Sequence, residues 1–230
     1  FGRVAGAQPT DYVTYHSEDV IHPNGVCGVD NDFIAAHPAP IIVGGDGGIA
    51  GAGPDGSIIY CTELACDADV EYYTAHGSNV TTVQNQIKLV INTMNLQYIN
   101  QVDIQHVITN ILVRTAEPDP YSSTASGTLL SQLQAEWNNN QIAIPRDIVQ
   151  MFTAKNVDGN VIGISFLSTI CNTSSAYSLV QSDCCGGLSC QTDLSAHELG
   201  HSWSAQHCSA TCASTMNSSI QCVNTFLNSS

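Results

Sequence analysis

The residues best placed to do chemistry are His197, Glu198, His201 and His207, within TDLSAHELGHSWSAQHC at 192–208. His197 and His201 are four positions apart, so on a helix both imidazoles leave one face and can reach the same metal ion. Glu198, beside the first of them, then points toward a water on that ion. Three neutral imidazoles leave the fourth position of a tetrahedral Zn²⁺ open, which separates a catalytic site from a closed structural one. Such an ion brings its bound water toward a pKa of ~7. Glu198 is expected to take the proton and pass it to a leaving amine. The chemistry this set predicts is metal-assisted hydrolysis of a peptide bond. A bare HExxH also arises by chance in unrelated chains. Here the third histidine, placed where the chain must leave the helix and turn back, and Asp193 as an N-cap-like start make the pattern specific. His16, His22, His37, His76 and His106 are scattered and read as ordinary surface or core histidines.

Positioning such a site needs a sheet and helices, and the patterning supplies them. SIIYCTELAC (57–66) alternates like a strand. In 80–100, Val83, Ile87, Val90, Met94 and Tyr98 recur three or four apart, one face of an amphipathic helix. IQHVITNILVRT (104–115) reads as a strand, 126–138 as a helix with Leu129, Leu130, Leu133 and Trp137 on one face, and VIGISFL (161–167) as a short apolar strand. This alternation predicts an α/β (α+β) fold, a mixed twisted sheet with helices packed on it. No internal repeat is visible. Residues 1–57 are rich in Gly and Pro, and PAPIIVGGDGGIAGAGPDG (38–56) reads as an irregular connector. The expected division is an N-terminal extension or pro-region remnant at 1–57 and a catalytic domain at 58–230.

Composition bounds the partners and the compartment. Twenty acidic and five basic residues give the 230-residue chain a net charge of −15. Arg3, Lys88, Arg114, Arg146 and Lys155 are too dispersed to neutralise phosphates, so nucleic acid and anionic membrane surfaces are excluded as partners. The same charge predicts a preference for neutral or cationic substrates. No run approaches the roughly 20 apolar residues of a membrane helix, and FGRVAGAQPT lacks the features of a signal peptide. Ten cysteines, seven of them after residue 170, predict an oxidising, extracellular compartment and a disulfide-stapled C-terminal region. A Cys-only zinc site is disfavoured, because Cys184, Cys185, Cys190, Cys208 and Cys212 form no good four-ligand spacing.

Taken together, HELGH with His207, Ser214-Thr215-Met216-Asn217 after it, and FTAKNVDGNVIGISFLSTIC (152–171) before it resemble the metzincins, with the adamalysin or reprolysin group most similar. The resemblance covers roughly 58–222. It implies a zincin fold with an active-site helix, a cleft, and a small disulfide-stapled C-terminal subdomain. It further implies a secreted, monomeric zinc endopeptidase acting on protein or peptide substrates. Residue by residue, His197, His201 and His207 would ligate zinc, Glu198 would be the base, and Met216 would lie in the Met-turn beneath the metal. Two departures stand out. The family glycine at the helix end is Ser204, which predicts a strained or rearranged turn. Cys208 follows the third histidine, where a disulfide could anchor the loop.

Asn24-Gly25-Val26-Cys27-Gly28-Val29-Asp30 is similar to the cysteine switch of metzincin pro-regions, in which a thiolate takes the open zinc position. The competing expectation is a Cys27 disulfide tying the extension to the domain, favoured by cysteine parity. A catalytically inactive or latent binding module of the same fold, and a disulfide-rich adhesive domain with an accidental HExxH, are the alternatives to an enzyme. Calcium is a further expectation, resting on Glu63 and the acidic chain, although no EF-hand spacing exists.

Overall fold

The computed structural model of the chain describes residues 26–29, 31–36, 49–52, 58–209 and 211–226. The elements in chain order are β1 (Val26–Cys27), α1 (Asn31–Ala36), β2 (Ile49–Ala52), β3 (Ile58–Ala68), α2 (Val70–Ala75), α3 (Val80–Val102), β4 (Ile104–Val113), α4 (Ser126–Asn140), β5 (Ile148–Thr153), β6 (Val161–Ser165), β7 (Tyr177–Gln181) and α5 (Leu188–Ser202). Most of the expected connector at 38–56 lies outside the described residues. Four of its residues form β2.

The strands make one mixed sheet in the order β1-β6-β7-β5-β3-β2, with β4 also beside β3. β3 runs parallel to β4 and β5, and β5 parallel to β7, whereas β6 is antiparallel to β7. Alternation along β3 sorts its side chains between two cores. Leu64, Cys66 and Ala68 meet α3 and α5 on one face, and Ala65 meets Leu129, Leu133 and Trp137 of α4 on the other. The helical face read from 80–100 is buried as expected, since Val83, Ile87, Val90, Met94 and Tyr98 all lie in the first core. This is the mixed twisted sheet with packed helices that the sequence predicts.

One charged centre stands inside the second core. Asp67 accepts from Arg114 Nη2 at 2.8 Å, Tyr121 Oη at 2.5 Å and Trp137 Nε1 at 2.8 Å. These donors satisfy the buried carboxyl and fix α4 against β3, although burial still raises it above the usual carboxylate range.

The C-terminal region is stapled by Cys190–Cys222, Cys184–Cys185 and Cys208–Cys212. Cys208 thus anchors the loop after His207 through Cys212. Cys61, Cys66 and Cys171 remain thiols. Among the described residues, no helix is long and apolar enough to cross a membrane.

Candidate metal centre

α5 is buried along its length, from Thr192 to Ser202. It begins at Leu188 with extended Gly187 as N-cap. The expectation that Asp193 caps the helix is therefore corrected. Asp193 lies inside the helix with its carboxylate turned inward, where it accepts from Thr215 Oγ1 at 2.6 Å.

The helix ends in a Schellman turn. Ser204 N–H donates to His201 O at 2.9 Å and Ala205 N–H to Gly200 O at 2.9 Å. Ser204 adopts φ +77°, the left-handed conformation that a glycine would take without penalty. The family turn is thus kept and Ser204 carries the strain.

That turn and the segment after it aim the histidines. His201 Nδ1 faces Ala205 O at 2.8 Å, and His197 Nδ1 faces Thr215 O at 2.6 Å. A carbonyl only accepts, so in both rings the Nδ1 nitrogen carries the proton. Each Nε2 is then a lone pair. His197 Nε2 and His201 Nε2 are nevertheless 3.0 Å apart, and each lies 3.2 Å from His207 Nε2. Burial, reinforced by the neighbouring imidazoles, holds His197 well below the usual histidine range and lowers His201 to about 4; burial also lowers His207. Neutral nitrogen lone pairs crowded together call for a cation between them. Three nitrogens bound to one Zn²⁺ at ~2.0–2.1 Å in tetrahedral array stand about 3.3 Å apart, so the donor set fits that ion.

Glu198 is fully buried, with Oε1 lacking a hydrogen-bond partner. Burial lifts its carboxyl to about 8, opposed by a hydrogen bond from the Cys27 thiol. It lies against β6 at Gly163, where an added Cβ would come within 2.9 Å of Glu198 Cδ and Cγ. Met216 is buried against α5 beside Gly200, where a Cβ would meet its Sδ at 2.8 Å.

Cys27 is brought into the same cluster. Its Sγ lies 3.4 Å from His201 Nε2, and the thiol points at Glu198 Oε2 across 3.7 Å. With His197, His201 and His207 it makes a group of potential metal donors mutually within 4.8 Å. Its thiol forms no disulfide, which corrects the expectation of a tether to another cysteine. The parity argument presumed that nearly all ten cysteines pair, whereas the chain keeps four thiols, Cys27 among them. The backbone around Cys27 spans the two walls of the site: Gly28 N–H donates to Gly163 O at 2.7 Å and Cys27 N–H to Ser218 O at 3.1 Å.

The other residues read from the sequence are dispersed. His106 is a core histidine whose Nε2 accepts from Trp203 Nε1 at 3.2 Å, and burial lowers it to about 3. Glu63 belongs to neither cluster of potential metal donors among the described residues; the acidic one is Glu71, Glu117 and Asp119. Nothing therefore supports calcium at Glu63. His16, His22 and His37 lie outside the described residues.

Sequence reasoning missed the two carbonyls, Thr215 O and Ala205 O, because backbone atoms carry no residue signature. It also missed Gly163, although a lone glycine inside the apolar strand VIGIS is a signal of close approach.

Among solved structures, one described as the structure of a chaperone-substrate complex matches with a TM-score of 0.58 at 13% identity, over 76% of this chain and 30% of that chain. At that identity the likeness shows the fold alone, and this chain spans less than a third of that chain's length. The reprolysin model of metallo-peptidase family M12 matches residues 61–228, most of the sequence and all of the site except Cys27. The chain belongs to metallo-peptidase family M12.

Proposed function

We propose that this chain is a secreted zinc endopeptidase held in a latent state by its own N-terminal segment. The observation that carries the reading is the triangle of Nε2 atoms in which the His197 and His201 lone pairs meet at 3.0 Å with both Nδ1 protons committed to carbonyls. His197, His201 and His207 would hold the ion. A zinc ion there would polarise a substrate carbonyl and acidify a water. The rest of the chemistry falls to the chain itself. The Glu198 carboxylate, buried beside the histidines, can take a proton from a bound water and release it to a departing amine. The edge of β6 opposite β7 would take the peptide backbone.

That edge is where β1 lies, with Cys27 paired in register to Gly163. Cys27 therefore occupies the ground a substrate would need and offers sulfur to the histidine cluster, which supports latency over a permanently inactive binding module. The three disulfides support an extracellular compartment. The division at residue 57 belongs to the same proposal, with the described residues 26–29 and 31–36 acting as a pro-segment on the domain at 58–230.

The test combines metal analysis with peptide cleavage. One zinc per chain, lost in His197→Ala, and cleavage that falls by about 10²–10⁴-fold in Glu198→Gln, are the expected results. A wild-type chain without stoichiometric zinc, or a Glu198→Gln variant that cleaves normally, overturns the proposal.

A further inference from the structure

Asp193 stands one helical turn before His197, so both side chains leave α5 on the same face. It is fully buried, and its Oδ1 accepts from Thr215 Oγ1 at 2.6 Å and from Asn224 N–H at 3.0 Å. The Thr215 hydroxyl, its proton given to Asp193, accepts in turn from Gln97 Nε2 of α3 at 2.8 Å. The Thr215 backbone N–H donates to Thr225 O at 2.7 Å. Residue 215 is thus held by α3, by α5 and by the segment at 222–226. What remains for it to present is its carbonyl, and that carbonyl meets His197 Nδ1 at 2.6 Å.

We propose that Asp193 and Thr215 are positioning residues that set the tautomer and ring orientation of His197 and thereby the affinity of the metal centre. The inference rests on the reading of His197 as a metal ligand. An imidazole can place its proton on either nitrogen and can flip about its last torsion. A carbonyl fixed beside Nδ1 removes both freedoms and leaves Nε2 as the donor. Outer partners of this kind govern how well a histidine serves a metal. Thr215 sits in a loop, where its carbonyl direction is not set by a helix or strand ladder. The Asp193–Thr215 hydrogen bond replaces that ladder, locking the loop to the helix that carries His197. Burial raises the Asp193 carboxyl, opposed first by the Thr215 hydroxyl and then by backbone N–H groups that include Asn224.

The test uses the whole 230-residue chain and measures zinc affinity by competition with a chromophoric chelator. The His197 tautomer in the metal-free chain is read by two-bond ¹H–¹⁵N correlation. Thr215→Val, which removes only the hydroxyl, and Asp193→Asn are expected to weaken zinc binding by about 10–100-fold and to populate the Nε2–H tautomer of His197. Thr215→Ser should restore both readouts. Leu133→Ala, in the core against α4, should lower the melting temperature and leave zinc affinity unchanged. Wild-type zinc affinity and tautomer in Thr215→Val overturn the inference, as does an equal loss of affinity in Leu133→Ala. Should Asp193→Asn not fold, the Thr215 pair decides alone. Unchanged zinc binding in His197→Ala would instead sink the ligand reading; loss of zinc there beside normal binding in Thr215→Val sinks only the positioning pair.

Discussion

Gly163 and Glu198 share one space: the side chain of Glu198 lies where a Cβ at residue 163 would stand, with Cδ and Cγ at 2.9 Å from that position. The hydrogen at Gly163 is what allows the buried Glu198 side chain to lie flat against β6. Gly163→Ala must shift Glu198, because the added Cβ would meet Cδ and Cγ as well as Oε1, so turning the carboxylate alone does not clear it. The variant is expected to keep its zinc and its fold while turnover of a peptide substrate falls by about 10²-fold or more, the scale of losing a positioned base. Normal kcat in a zinc-loaded Gly163→Ala protein would show that Glu198 does not need this seat.

Cys27 faces the same carboxylate from the other side and lies 3.4 Å from His201 Nε2. The segment behind it is anchored by packing as well as by the thiol, since Val29 is buried and Phe33 stacks on Phe166 with ring centroids 5.9 Å apart. Cys27→Ser should therefore loosen the segment without ejecting it. Peptide cleavage is expected to rise on the order of ten-fold as the competent fraction grows, and Phe33→Ala combined with it should raise it further. Equal rates in wild type and Cys27→Ser would mean that the thiol does not restrain the site.

How much of this was legible beforehand depended on whether the signal lay in side-chain periodicity or in the backbone. The face of α3 and the spacing of His197, His201 and His207 are properties of residue type at a helical period, and both were readable. β5 was not, because all six of its residues are buried. A central strand covered on both faces shows no alternation, and IVQMFT does not distinguish itself from a buried helical turn. Asp193, which the sequence offers as an N-cap, lies inside α5 instead. A carboxylate near the start of a helix suggests a cap, and only the tertiary approach of Thr215 turns it inward.

Asp69 offers a pH test away from the metal centre. It caps α2, with Oδ1 accepting from Tyr72 N–H at 2.7 Å and Oδ2 from the Thr153 hydroxyl, and it is fully buried. Burial lifts its carboxyl to about 7, with these hydrogen bonds pulling the other way. The folded chain thus holds the proton more tightly than the unfolded chain, which releases it near ~3.9. The resulting stability is fully present below the unfolded value and is lost as pH rises through about 7. Asp69→Asn keeps an acceptor for Tyr72 and has no proton to lose. Between pH ~4 and ~8 the melting temperature of the wild type is expected to fall relative to that of Asp69→Asn. A gap between the two that stays constant across this range would contradict the raised carboxyl.

Ser204 closes the active helix in a conformation that costs an L-residue about 1–2 kcal/mol, at φ +77°. The turn cannot relax by giving up that angle. Its two hydrogen bonds, Ser204 N–H to His201 O and Ala205 N–H to Gly200 O, exist only if residue 204 is left-handed. The second of them also delivers the Ala205 carbonyl to His201 Nδ1. Ser204→Gly removes the strain while adding freedom to the unfolded chain, which takes back about 0.4–1 kcal/mol. The net expectation is a gain of about 0.5–1 kcal/mol, a rise of roughly 1–4 °C in melting temperature for a chain of this size. Zinc affinity and kcat should stay at wild-type levels, because the glycine adopts the same angle and leaves the Ala205 carbonyl in place. Thermal unfolding of the two proteins side by side checks this, and a Ser204→Gly chain that melts lower would mean that the serine side chain contributes more than its backbone strain costs.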